Sequence, residues 1–135
     1  MNIKLILCIP LFLLIIGCKT QNTKPETSDG PIIIMQNSAE KIPNSKITLT
    51  FRNIVEDSRC PADATCIWEG IAIVNLTAKY GNETQNFQIA TRDFAPKNAL
   101  KSFEYKGYTF TLEDVNPKPG GKKQEAFISI HYKKN

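Results

Sequence analysis

The chain has 135 residues, 22% charged and 41% hydrophobic, an ordinary balance that leaves room for one globular domain beside a targeting segment. Its formal charge of +4 is spread among interspersed acidic and basic residues, so there is no basic stripe and no case for nucleic acid as a partner.

Met1–Lys4 form a short basic n-region, and Leu5–Ile16 are twelve consecutive uncharged residues. That length suits the h-region of a secretory signal and falls short of the roughly 17 residues a spanning helix needs. Pro10 also argues against a long uninterrupted helix. The run ends in Ile15-Ile16-Gly17-Cys18, which resembles the bacterial lipobox, with Ile where Leu is more usual. The resemblance implies a signal peptide over 1–17, cleavage before Cys18, a thioether-linked diacylglycerol on Cys18 and acylation of the new amino group. One acyl chain binds a bilayer only marginally, at about 0.8 kcal/mol per buried methylene, whereas two or three together anchor a protein for practical purposes.

Loss of Lys4 with the signal leaves 16 of the 17 basic residues against 13 acidic ones, a net charge of +3. Lys19–Gly30 (KTQNTKPETSDG) contains no aliphatic or aromatic residue and cannot bury enough surface to fold, so 18–30 reads as a lipidated cysteine and flexible tether. The expected location is the cell envelope, outside the cytoplasm. The outer membrane is favoured, because Lys19 is not an inner-membrane retention signal under enteric sorting rules. Cys8 would leave with the signal and Cys18 would be acylated. Two thiols then remain, Cys60 and Cys66, enough for one disulfide in an oxidising compartment.

From about residue 31 the hydrophobic pattern has period two. Ile47, Leu49 and Phe51 alternate with Thr48, Thr50 and Arg52; Ala72, Val74, Leu76, Ala78 and Tyr80 form one face of a second run. Gly81-Asn82 separates that run from Phe87 and Ile89, which predicts a hairpin over 71–90. One helical turn fits at 96–101. Lys106-Gly107 joins Phe103 and Tyr105 to the alternating Tyr108, Phe110 and Leu112. Residues 116–121 (NPKPGG) form a loop, since prolines cannot donate ladder hydrogen bonds, and Ala126, Ile128, Ile130 and Tyr132 mark a last strand. The expected fold is all-β, an antiparallel sandwich (immunoglobulin-like) or small barrel of six to seven strands over 31–135.

The most distinctive stretch is Asp57–Gly70, DSRCPADATCIWEG. Its pattern D-S-R-C-P-x4-C-x-W-x-G, followed by an alternating strand, resembles a set of uncharacterised small bacterial envelope proteins and lipoproteins. The likeness extends loosely to GYTFTLEDVNPKPGG and so spans most of 45–132, although only the Cys-Pro motif is specific. It implies an extracytoplasmic β-domain and brings no activity. A Cys60–Cys66 disulfide closes a small ring and contributes about 2–2.5 kcal/mol in the chain-entropy model. The spacing is not that of a redox Cys-x-x-Cys pair, and His131 is the only histidine, too few ligands for zinc. Trp68 reads as a residue of the core or one packed on the disulfide. Arg59 reads as one half of a local ion pair with Asp57, Asp63 or Glu69. The alternative for Arg59, Asp63, Trp68 and Glu69 is a recognition patch on a rigid staple, the best candidate binding site in the chain.

There is no nucleophile elbow, phosphate loop or zinc-protease motif. His131 shares a strand face with Ser129 and Lys133 and is expected to point to solvent. Glu113 and Asp114 are adjacent, so a regular strand points them to opposite faces. Tyr105, Tyr108, Phe94 and Phe103 read as core rather than as an aromatic surface. The sequence thus predicts a non-enzymatic, lipid-anchored module, without cofactor, that binds an envelope protein, peptide or glycan. The alternatives are a structural or stress-linked envelope component and an inhibitor of an extracytoplasmic hydrolase. An exposed Trp68 favours the binding and inhibitor readings; a buried one favours the structural reading.

Overall fold

A computed structural model describes residues 29–135; the signal segment, Cys18 and residues 19–28 of the expected tether lie outside them. The described chain is an all-β sandwich of two antiparallel four-stranded sheets. Its eight strands are β1 (Asp29–Met35), β2 (Ala39–Lys41), β3 (Ile47–Asp57), β4 (Ala72–Tyr80), β5 (Glu83–Ala90), β6 (Ser102–Tyr105), β7 (Tyr108–Asn116) and β8 (Phe127–Lys134). One sheet has the order β1-β8-β7-β6 and the other β2-β3-β4-β5. Each is a meander, with β1 added to the edge of the first, a simpler connectivity than the Greek key of immunoglobulin domains. Asp29 and Gly30, expected in the tether, open β1 by pairing with Lys133 and Tyr132. Their lack of apolar side chains is no obstacle, because sheet pairing needs only the backbone.

The alternation seen in the sequence is the alternation of burial. Ile47, Leu49 and Phe51 of β3, Phe110 and Leu112 of β7, and Ile128 and Ile130 of β8 are fully buried between the sheets. Phe87, Phe103 and Phe110 stack in series across the sandwich, with ring centroids 4.1 Å and 5.1 Å apart. Tyr105 and Tyr108 are buried in the same core.

Strand β4 departs from simple alternation: Ile71 and Ile73, on its other face, are buried as well. They form a second small core with Ala90, Ala99 and the half-buried Phe94. The connection from β5 to β6 therefore folds over the outer face of its sheet. It contains a 3-10 turn, Ala95–Lys97, which overlaps the start of the 96–101 stretch expected to form one.

The turns give the sandwich two unlike ends. At one end lie the hairpin turns Gly81-Asn82 and Lys106-Gly107, the end of β8 and the start of β1 at Asp29. Both Lys106 (φ 49°) and Gly107 (φ 78°) have positive φ, as a type I′ turn requires. At the first hairpin only Gly81 does (φ 59°), the type II′ pattern. At the other end lie the long connections β3–β4, β5–β6 and β7–β8. Nine residues of β4 separate the two ends, about 30 Å at the rise of an extended strand.

Candidate functional site

The Asp57–Gly70 segment is the β3–β4 connection, and its frame is built almost wholly from internal bonds. Asp57 ends β3, and its carboxylate accepts a forked pair from Arg59, Nε to Oδ1 at 2.8 Å and Nη2 to Oδ2 at 2.7 Å. The same guanidinium reaches across to the opposite sheet. Nη1 donates to the carbonyl of Val115, Nη2 donates to that of Pro117 at 3.0 Å, and Asp114 Oδ1 lies 3.6 Å from Nη1. Only a planar group with five donors can serve a carboxylate and two carbonyls at once.

Arg59 is 10% exposed and Asp57 18%, so this is a partly buried clamp and not the exposed local pair expected from the sequence. Its partner is Asp57, not Asp63 or Glu69. Arg59 therefore leaves the set of presented residues: its hydrogen-bonding groups face inward and hold the loop to β7.

Ser58 and Gly70 close the base of the loop. The Ser58 N–H donates to the Ile71 carbonyl at 2.8 Å, and the Ile71 N–H donates to Ser58 Oγ at 3.1 Å. Gly70 passes so near Ser58 that an added Cβ would sit 1.7 Å from the Ser58 carbonyl oxygen. No other residue fits without moving the backbone. Above this base, Cys60 and Cys66 form the expected disulfide, with Cα atoms 5.8 Å apart. The Ala62 N–H donates to the Pro119 carbonyl at 2.9 Å, which docks the ring on the proline-rich β7–β8 connection. On the far side, Arg92 Nη2 donates to the Glu69 carbonyl at 2.7 Å while its guanidinium lies 5.1 Å from the centre of the Phe94 ring.

What this frame presents is apolar. Ile67 is 93% exposed and Trp68 71%, between a disulfide on one side and the Glu69–Gly70 anchor on the other. Trp68 is thus turned to solvent rather than packed in the core. Glu69, next in the chain, and Asp63, whose carboxylate lies near Gly120, are both exposed, and among the described residues neither makes a salt bridge. Of the four candidate residues, Asp63, Trp68 and Glu69 are exposed and Arg59 is not. Ile67, exposed next to Trp68, belongs with them and is absent from the residues the sequence singles out. Its position beside Trp68 in a loop, outside any alternating run, was the one available signal.

A cleft of about 420 Å³ opens beside the loop, lined by Glu69, Gly70, Arg92, Lys101, Glu113 and Asp114 among others. Glu113 and Asp114 both line it, contrary to the expectation of opposite faces, because a register shift between Leu112 and Asp114 breaks the alternation of β7. Their oxygens are partly engaged. Asp114 accepts from the Val115 N–H at 2.8 Å and from Asn116 Nδ2 at 2.9 Å, and Glu113 accepts from Ser129 Oγ at 3.2 Å. His131, half-exposed on the outer face as expected, has Nδ1 4.0 Å from Glu113. No group of three or more His, Cys, Asp and Glu residues able to hold a metal occurs among the described residues. The loop thus presents two exposed apolar side chains, with exposed acidic residues, on a crosslinked frame.

Comparison of the chain with protein-family models, with curated proteins and with solved structures returns no match, so the reading of this loop stands on its own geometry.

Proposed function

We propose that the protein is a lipid-anchored binding module of the bacterial cell envelope, with the loop at Ile67–Glu69 as its contact surface for an envelope protein, peptide or glycan. The observation that carries this reading is the exposure of Trp68 and Ile67 on a segment immobilised everywhere else. Large exposed apolar side chains are individually unremarkable, and a mobile loop could hold them by accident. Here the disulfide, the Arg59 clamp and the Arg92 bond have already removed the loop's freedom, which lowers the ordering cost a partner would otherwise meet. An aromatic anchor of this kind is the commonest hot spot in interfaces. The structural or stress-linked alternative has no use for a rigid, solvent-facing tryptophan.

The test is crosslinking and pull-down from the envelope with the anchored protein, comparing wild type with Trp68→Ala/Glu69→Ala after both are shown to fold. The expected result is a specific partner retained by wild type and lost by the variant, with at least about thirtyfold weaker binding, equivalent to about 2 kcal/mol. Trp68 is the only tryptophan in the chain, so its emission reports the same contact directly. Equal recovery by both proteins clears the loop of any role.

The inhibitor reading draws on a separate observation: Pro61–Cys66 is an exposed segment closed by the disulfide and docked on Pro119. It expects the oxidised 61–65 segment to survive a protease that cuts it once reduced. Rapid cleavage of the oxidised loop removes that reading and leaves the binding module intact.

A further inference from the structure

The end opposite the Trp68 loop carries a second surface, with different chemistry. Two adjoining grooves share Lys46. One is lined by Lys41, Lys46, Lys106 and Lys134 with Tyr80, Tyr108, Asn44 and Ser45. The other runs from that end up the outer face of the β2-β3-β4-β5 sheet, lined by Lys46 and Lys79 near the end and by Arg52 midway along β3, with Thr48, Thr50, Thr77, Thr84, Ala39 and Gly81. Six cations thus line the two grooves, five of them outside any salt bridge among the described residues; neither lining includes a carboxylate, while Glu83 and Glu104 line a third groove at the same end with Lys106. Glu83, on the neighbouring hairpin, is engaged by Lys106.

The place of this surface matters as much as its charge. Asp29, where the described chain begins, pairs with Lys133, next to Lys134 of the first groove. Ten residues, 19–28, join Asp29 to Cys18 and span at most about 35 Å when fully extended. On the anchoring reading, the tether joins the domain at its basic end, but at this length it reaches past the sandwich and does not by itself fix which end faces the bilayer.

We propose that this basic end docks on the anionic surface of the bilayer in which Cys18 is anchored, holding the sandwich upright with the stapled loop pointing away. The anchor supplies a high local concentration, so contacts too weak to recruit a free domain suffice to orient a tethered one. Lysines near an anionic surface act additively and lose force within a Debye length, about 10 Å at 0.1 M salt. The lysyl ammoniums meet lipid phosphates as point charges, which needs no shaped pocket. The inference rests on lipidation at Cys18 and is independent of what Trp68 binds.

The test uses the full acylated chain in vesicles of phosphatidylcholine alone and of phosphatidylcholine with phosphatidylglycerol, with lysine acetylation rates read by mass spectrometry. Lys41, Lys46, Lys106 and Lys134 are expected to be acetylated at least about fivefold more slowly on the anionic vesicles, an effect removed by high salt. Lys122 and Lys123, in the loop at the far end, serve as the internal reference and keep their rates. The same rates for the four lysines on both vesicles, or protection of Lys122 and Lys123 instead, overturn the proposal. Lys46→Glu/Lys134→Glu, both at exposed positions, is expected to abolish the remaining protection while the protein stays in the vesicle fraction. A protein that leaves that fraction defeats the anchoring reading on which the docking rests, and a partner at Trp68 lost or kept bears on neither.

Discussion

The two ends of this sandwich are closed by the same kind of strand yet by opposite means. At the hairpin end, Gly81-Asn82 and Lys106-Gly107 reverse the chain in two residues each, with turn types that follow the twist of the strands they join. At the far end, three long connections leave the sheets; a disulfide closes a ring within the first, and a guanidinium clamp and backbone hydrogen bonds tie the loops to strands and to one another. The tight end has little freedom to lose. The long end needs crosslinks, because loop backbone without sheet partners must satisfy its polar groups elsewhere. Function concentrates on such scaffolded loops. The apolar pair Ile67–Trp68 stands on the crosslinked end and the lysine grooves on the tight one.

This contrast can be broken most severely at Arg59. Arg59→Ala leaves the partly buried Asp57 and the carbonyls of Val115 and Pro117 without their donor, and is expected to cost about 3–5 kcal/mol in urea unfolding. A loss below about 1 kcal/mol would show that the far end holds together without its clamp. The same substitution at two glycines then separates the ends by mechanism. Gly70→Ala drives a Cβ into the Ser58 carbonyl and is expected to cost about 3 kcal/mol or more. Gly81→Ala meets nothing within 4 Å and pays only for its positive φ, about 1–2 kcal/mol. Equal losses at the two positions would erase the distinction.

Removal of the disulfide, as Cys60→Ala/Cys66→Ala, is expected to lower stability by about 2–2.5 kcal/mol while far-ultraviolet circular dichroism stays that of the β-sandwich. Collapse of the spectrum would mean that the staple holds the sheets and not merely the loop. The smallest effect sharpens the comparison most. Trp68→Ala is expected to change stability by no more than about 0.5 kcal/mol, since the side chain is 71% exposed, while the interaction with a partner is lost. A destabilisation above about 2 kcal/mol would make Trp68 a structural residue.

Much of the far end could be anticipated from its residues, but not its division of labour. The Cys60–Cys66 pair follows by elimination on the lipobox resemblance, which removes Cys8 and occupies Cys18, and the structure holds that disulfide. Glu113 and Asp114 were misplaced because alternation assumes an unbroken strand, and a bulge is invisible to a period-two pattern. Arg59 was grouped with its sequence neighbours, whereas its decisive partners, Val115 and Pro117, lie 56 and 58 residues away.

By itself the sequence determined the class of the fold, the faces of β3, β4, β7 and β8 that meet between the sheets and the two hairpin turns. All of these rest on local rules: period-two burial, turn chemistry and the incompatibility of proline with a ladder. Only the tertiary structure decided that β1 pairs with β8, that Arg59 serves the core side of its loop while Trp68 faces water, and that the chain enters at the end opposite that loop. Those outcomes depend on which distant segments pair, and contacts between residues far apart in sequence leave no mark in a local pattern.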